Sequence, residues 1–127
     1  MTSIVVRNFR RICHESGFRV SCSLNADGLP SELWFETTGY GGTAGTDEPD
    51  WAAVALLYPS MLLGHDLVID AAISPQLHYA MNNDLQALLR DYDHRLQRIR
   101  VIAGWATPAA SGDGVATGFS GGIDSFA

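Results

Sequence analysis

The last ten residues of this chain constrain its fold more than any other segment. They carry a Ser-Gly-Gly-x-Asp-Ser motif, Ser120 to Ser125, directly behind the apolar run 115–119. The run is typical of a buried strand, and a strand that opens into a glycine-containing turn presents successive backbone N–H groups to an anion. The two serine hydroxyls can donate further hydrogen bonds, and Asp124 can hold the Mg²⁺ that accompanies a nucleotide. The motif therefore predicts a phosphate-binding loop.

One alternative to this loop stays open and another is excluded. Glycine and serine dominate turns in all proteins, so residues 120–125 are also compatible with an ordinary small-residue turn. The phosphate loop Gly-x4-Gly-Lys-[Ser/Thr] is excluded, because all eight basic residues are arginines and the chain contains no lysine. A loop of the kinase or GTPase type is therefore not expected.

At these residues the sequence resembles the PP-loop of the N-type ATP pyrophosphatases. This superfamily includes GMP synthetase, NAD synthetase, asparagine synthetase, argininosuccinate synthetase and several tRNA-modifying and deazapurine-forming enzymes. The resemblance implies ATP and Mg²⁺ as cofactors, with Asp124 assigned to the metal or to the shape of the loop. It further implies that four residues contact phosphate oxygens, namely Ser120, Gly121, Gly122 and Ser125.

The resemblance also implies an activity. Enzymes of this superfamily transfer AMP to an oxygen of their substrate, release pyrophosphate, and let a nitrogen or sulfur nucleophile displace the AMP. The chain is thus expected to be the N-terminal part of an ATP-dependent ligase or amidotransferase-like enzyme, inactive by itself, with an unidentified substrate. The alternative is a stand-alone binding or scaffold module, whose glycine-rich tail docks on a partner.

Two departures from the superfamily narrow the expectation. Members that hydrolyse glutamine with an N-terminal cysteine carry it directly after the initiator methionine, whereas this chain has Thr2. In sulfur-inserting members the working cysteines usually lie beyond the loop, so Cys13 and Cys22 are poor candidates for persulfide chemistry. The N-terminal region is therefore expected to recognise substrate or to form a dimer, for which an exposed edge strand or the apolar helix after Asp50 would be suitable.

Composition places the chain among globular proteins. A chain of 127 residues suffices for one ordinary domain. It lacks an apolar span of about twenty residues and a basic leader, so a cytoplasmic protein that does not enter the membrane is expected. Cys13 and Cys22 have no Cys-x-x-Cys spacing, which favours reduced thiols packed as small apolar groups.

Charge is unevenly distributed along the chain. Between Arg19 and Arg90 there is no basic residue, whereas nine acids lie there. Nucleic-acid binding by this acidic segment is not expected, because a phosphate backbone needs many basic contacts. The arginines form an early group and a late group that could bind an anion on a shared face or could simply be solvated charges. The two groups are Arg7, Arg10, Arg11 and Arg19, then Arg90, Arg95, Arg98 and Arg100.

Hydrophobic periodicity predicts an α+β module over residues 1–106. The predicted strands are 3–9, 18–24, 33–37, 66–72 and 95–105. The first helix is expected to begin at Trp51 with Asp50 as its cap and to kink or end near Tyr58, because Pro59 follows. The second begins after the Ser74-Pro75 cap and continues to Tyr92.

The chain therefore divides into three parts. Residues 1–106 form a small mixed sheet with two main helices, and residues 107–114 are rich in small polar residues and form a linker. Residues 115–127 form the first strand and loop of an incomplete α/β nucleotide-binding domain. A boundary at the linker is the main architectural prediction.

Overall fold

A computed structural model describes residues 2–39 and 48–105, which form five strands and three helices. In chain order these are β1 (Ser3–His14), β2 (Gly17–Asn25), β3 (Glu32–Thr38), α1 (Asp50–Leu63), β4 (Asp66–Ile73), α2 (Pro75–Asn82), α3 (Asp84–Tyr92) and β5 (Val101–Trp105).

The strands form one mixed sheet in the order β3-β2-β1-β4-β5. Short turns join β1 to β2 and β2 to β3, so these neighbours are antiparallel. β4 lies parallel to β1, and β5 lies parallel to β4. Parallel neighbours need a crossover connection, which α1 provides before β4 and the α2–α3 pair provides before β5. The predicted α+β fold with a small mixed sheet is confirmed.

The core lies between one face of the sheet and the helices. The strand register places the buried side chains of Val6, Leu24 and Ile69 on the same face, because residues paired across a sheet share a face. α1 packs Leu57 and Met61 against this face, and both are at most 1% exposed. The apolar residues whose periodicity predicted the strands therefore also form the buried face of the sheet.

The predicted end of α1 near Tyr58 is wrong. The helix continues through Pro59 to Leu63 and ends at Gly64, whose φ of 70° is the left-handed conformation that favours glycine. Proline removes one backbone donor, but tertiary packing holds the last turn. Met61 is fully buried, and its carbonyl accepts a hydrogen bond from the Gln97 N–H at 2.9 Å.

The predicted role of Asp50 as the N-cap is also wrong. Pro49 occupies the cap position and Asp50 lies in the first turn of α1. The Asp50 carboxylate instead accepts a hydrogen bond from the Ser74 N–H at 3.0 Å. Ser74 is the N-cap of α2 with proline at the first helical position, as predicted. The acid thus joins the beginnings of two helices.

The predicted single helix to Tyr92 is in fact two helices. The break falls at Asn83, whose φ of −130° and ψ of −101° are not helical. Next to it, the side-chain amide of Asn82 donates to the Val101 carbonyl at 3.0 Å and accepts from the Val101 N–H at 2.9 Å. A main-chain partner on β5 therefore fixes the position of the break, which helix periodicity does not detect.

The predicted strand 95–105 is confirmed only over Val101–Trp105. Just before β5, the backbone of Ile99 bonds to the Gln86 side chain and not to a neighbouring strand. Its buried side-chain amide donates to the Ile99 carbonyl at 2.9 Å and accepts from the Ile99 N–H at 3.0 Å. Ile99, the β-branched residue before β5, is thus bonded by a side chain and lies outside the sheet ladder.

Candidate functional site

The predicted phosphate loop lies outside the described residues. This applies to all five of its residues, Ser120, Gly121, Gly122, Asp124 and Ser125. The linker 107–114 and the run 115–119 lie there as well, so the loop and the domain boundary stay predictions. The structure does give the point from which the chain continues, which is Trp105 at the end of β5.

Among the described residues, one apolar groove lies where α1 and α2 begin. We call it the interhelix groove, and its volume is about 790 Å³. Three polar residues also line it, two of which are the bonded pair Asp50 and Ser74. The described residues that line it are Phe35, Asp50, Trp51, Val54, Ala55, Ser74, Gln76, Leu77 and Ala80.

Aromatic packing fixes one wall of the groove. The Trp51 ring meets the Phe35 ring edge to face, with the centroids 5.6 Å apart, and meets the Phe9 ring similarly at 6.4 Å. Phe35 is nevertheless 51% exposed, and Val54 on the adjacent turn of α1 is 57% exposed. Edge-to-face pairs hold rings in defined positions. The groove thus presents a fixed apolar surface suited to apolar side chains.

Sequence reasoning named the apolar helix after Asp50 as a candidate dimer contact but did not locate this groove. The residues of α1 are apolar almost all round the helix, a pattern that is also typical of a fully buried helix. Its buried face contains Leu56, Leu57 and Met61, whereas Val54 and Leu62 are exposed. Of these two exposed residues, Val54 lines the groove.

The outer face of the sheet gathers most of the early arginine group. Arg7 and Arg10 on β1 lie opposite Ser23 and Ser21 on β2, and Arg19 follows on the same face. The Arg19 guanidinium stacks over the Trp34 ring, with its central carbon 4.0 Å from the ring centroid. This arrangement is a cation–π contact. The early group therefore shares a face, apart from Arg11, which the register places on the helix side.

A β-bulge shapes this outer face. The register of β1 shifts between Arg7 and Arg10, and Asn8 within the shift has a φ of 60°. A depression of about 460 Å³ lies beside it, lined by Arg10 and by the acidic Glu32 among others. Glu36 is paired with Arg19 across β2 and β3. The carboxylates offset the arginines, so the face is polar and mixed in charge.

Three arginines of the late group bond to other residues of the fold. Arg95 pairs with Asp93 at 2.8 Å, and Arg100 pairs with Asp66 at 3.1 Å. Arg98 donates to the Asn82 carbonyl at 2.9 Å, at the end of α2. These three arginines are therefore engaged within the fold.

The Asp93 carboxylate is the most strongly perturbed acid among these pairs. Side-chain hydrogen bonds from Arg95 hold the pKa of Asp93 well below its usual range, and a hydrogen bond from the Tyr58 hydroxyl adds to the effect. Donation to this carboxylate correspondingly raises the pKa of Tyr58. The cluster ties α1 to the segment after α3, and Asp93 is its centre.

Replacement of Asp93 by asparagine should make stability less dependent on pH. Because the pKa of Asp93 is lowered in the folded state, the carboxylate stabilises the protein above its unfolded pKa of about 3.9, and this contribution is lost as pH falls further. We expect a lower urea midpoint for Asp93→Asn at pH 7 and a difference that shrinks below about pH 4. Urea unfolding between pH 7 and pH 2.5 measures both.

The exposed Asp91→Asn variant on α3 is the matched control for this series. It should leave the midpoint nearly unchanged over the whole pH range, because surface substitutions usually have small effects. A midpoint difference for Asp93→Asn that is the same at pH 7 and pH 3 would show that the carboxylate charge does not stabilise the cluster.

The two cysteines differ in environment. Cys22 is 1% exposed in the core, and burial raises the pKa of its thiol to about 11. A thiol with that pKa is protonated at neutral pH and is a poor nucleophile. Cys13 is exposed, and its sulfur accepts hydrogen bonds from Arg11 at 3.2 and 3.4 Å. The prediction of a packed thiol is confirmed for Cys22 and wrong for Cys13.

The described residues contain neither a metal-binding cluster nor a membrane-spanning helix. Over residues 2–39 and 48–105, no group of three or more His, Cys, Asp or Glu side chains is arranged to hold a metal ion. None of the helices in these ranges combines the length and the apolar content needed to cross a bilayer.

Together, the sheet order and the helices define a small α+β domain with an apolar groove and an arginine-bearing sheet face. Comparisons with family models, with curated proteins and with solved structures found no match to this chain.

Proposed function

We propose that this chain is the N-terminal part of an ATP-dependent, AMP-forming ligase or amidotransferase-like enzyme that adenylates its substrate and releases pyrophosphate. The observation that carries the proposal is the Ser-Gly-Gly-x-Asp-Ser motif at residues 120–125, behind a run with the pattern of a buried strand. Ser120, Gly121, Gly122 and Ser125 would contact phosphate oxygens, and Asp124 would hold Mg²⁺. The adenylated substrate and the nucleophile are unassigned.

The two parts of the chain have different roles in this proposal. The buried residues of the described core lie between Ile4 and Val101, within the part of the chain that the proposal assigns to the N-terminal module. A separate unit after residue 106 is compatible with that arrangement. In this proposal residues 1–106 recognise substrate or form a homodimer in the cytoplasm, and the loop handles the nucleotide.

The loop would act by electrostatic stabilisation of the leaving group. Backbone N–H groups and serine hydroxyls would stabilise negative charge on the departing pyrophosphate, which costs little reorganisation when the donors are already oriented. Bound Mg²⁺ supplies additional positive charge to the same oxygens. The protein would contribute mainly positioning and charge, with little covalent work asked of it.

A second candidate function is a stand-alone binding module. The observation that favours it is the interhelix groove, where Phe35 and Val54 are each more than half exposed. Apolar surface of this kind marks an interaction site. This candidate predicts no affinity for nucleotide and a stable fold after removal of residues 107–127.

Nucleotide binding separates the two candidates. The polypeptide is isolated from its own cells at its native length, which an antibody against residues 1–106 establishes relative to the 13.7 kDa of this chain. Binding of Mg·ATP is then measured by calorimetry for the wild type, Ser120→Ala and Asp124→Asn. A hydrogen bond to a charged group contributes about 1.5–3 kcal/mol, so each variant should bind about 10- to 100-fold more weakly.

Ser111→Ala is the matched control, because it removes a hydroxyl in the predicted linker. It should bind Mg·ATP as the wild type does. If the wild type does not bind Mg·ATP, or if all three variants bind equally, the ligase proposal fails and the binding-module candidate is favoured.

A further inference from the structure

We propose that the interhelix groove is the docking surface for the chain's own segment after β5, with the Phe119 side chain seated between α1 and α2. The inference concerns how two parts of the chain pack and holds whether or not the loop binds ATP. It would place residues 120–125 beside the beginnings of these two helices.

The chain leaves the sheet next to the groove. β5 is parallel to β4, and its last residue, Trp105, pairs with Ile73 at the end of β4. Ser74, which follows Ile73 directly, lines the groove and donates its N–H to Asp50. The segment after Trp105 therefore begins one residue away from the lining of the groove.

The length of the segment is sufficient for docking and favours it over association between copies. Phe119 follows Trp105 by 14 residues, which span at most about 46–50 Å when extended. A tether of this length gives an effective concentration on the order of millimolar. Two separate copies at micromolar concentration meet far less often, so the chain's own segment occupies the groove first.

The chemistry of the segment matches the groove. Residues 106–127 contain two acids, Asp113 and Asp124, and no basic residue, so ionic contacts are not required of the groove. Among the described residues that line the groove, only Asp50 is charged, and its carboxylate already accepts the Ser74 N–H. The apolar side chain that ends the run 115–119 is Phe119. An aromatic ring fits a wall that Trp51 and Phe35 already build by edge-to-face contacts.

Disulfide trapping in the full chain tests the inference. On a Cys13→Ser background, Val54→Cys is combined with Phe119→Cys in a glutathione buffer at micromolar protein. Cys22 stays in place, since its thiol is buried. We expect an intramolecular disulfide of monomer mass that forms at least tenfold faster than in the matched pair Leu88→Cys with Phe119→Cys. Leu88 is 66% exposed on α3 and does not line the groove.

Two trapping results would overturn the inference. Equal rates for both pairs would mean that Phe119 has no preference for the groove. Disulfide-linked dimers formed by Val54→Cys alone, faster than by Leu88→Cys alone, would mean that a second copy covers it.

Amide exchange provides a second readout without cysteines. Val54→Asp places a charge in the groove and should speed exchange of residues 115–119 at least tenfold, whereas Leu88→Asp should not change it. Equal exchange in the two variants would also reject the inference. Neither measurement requires nucleotide, so a failure here is distinct from a failure of the ligase proposal.

Discussion

Replacement of Gln86 by leucine is expected to lower the free energy of unfolding by at least about 3 kcal/mol. Gln86 is fully buried, and its amide bonds both the N–H and the carbonyl of Ile99 and the carbonyl of Met81. Leucine has a similar volume but no polar atoms. Three buried backbone groups would lose their partner, and each unsatisfied group costs about 1–3 kcal/mol.

Gln76→Leu on α2 is the matched control, because Gln76 is exposed. Its effect on the free energy of unfolding should stay within about 0.5 kcal/mol. Urea unfolding followed by circular dichroism measures both variants. A loss in Gln86→Leu no larger than that in the control would mean that the Ile99 segment is held by packing alone.

Replacement of Gly17 by alanine should have a comparable effect through a different cause. A Cβ atom on Gly17 would lie 1.8 Å from the Thr37 carbonyl oxygen of β3. The atoms that the Cβ would meet are all backbone atoms of β3, so relief requires the end of β3 to move away from β2. We expect a loss of about 3 kcal/mol in the free energy of unfolding, at the upper end for overpacking.

Gly28→Ala separates this steric clash from the cost of losing a glycine. Gly28 has a φ of 85°, but no atom lies within 4 Å of the position its Cβ would take. Its cost should therefore be the conformational one alone, about 1–2 kcal/mol. Urea unfolding of the two variants tests the order, and a larger loss for Gly28→Ala would contradict the close approach of β2 and β3.

The sequence predicted the elements whose periodicity reflects burial. Strands β2, β3 and β4 agree within a residue or two with the predicted 18–24, 33–37 and 66–72, because alternation follows directly from a half-buried sheet. β1 was predicted to end at residue 9 but continues to His14. Its second half pairs only with β2 and is mostly exposed, so it carries little hydrophobic signal.

The errors share a cause in tertiary contacts. Pro59 was expected to kink or end α1, but the helix continues, and burial of Met61 holds the following turn in place. The α2–α3 pair was expected to be one helix, but the Asn82 side chain bonds to Val101, 19 residues away. Local patterns do not encode such partners. The groove was missed for the same reason, since its walls come from three separate elements.

The prediction of the candidate nucleotide site is not tested by the structure. Its prediction depends on six consecutive residues, Ser120 to Ser125, and the structure describes none of them. What the structure adds is the exit point of the chain beside the groove, which no sequence pattern indicated.

The amide side chains beside β5 also have a consequence for how copies of the protein meet. β5 is an edge strand, and exposed edges are templates onto which a foreign strand can add. The Arg100 carbonyl bonds inward to Leu67 on β4, so the backbone groups of Ile99 and Val101 point outward. Gln86 and Asn82 already occupy those groups, so an incoming strand finds no free backbone partner at residues 99 and 101.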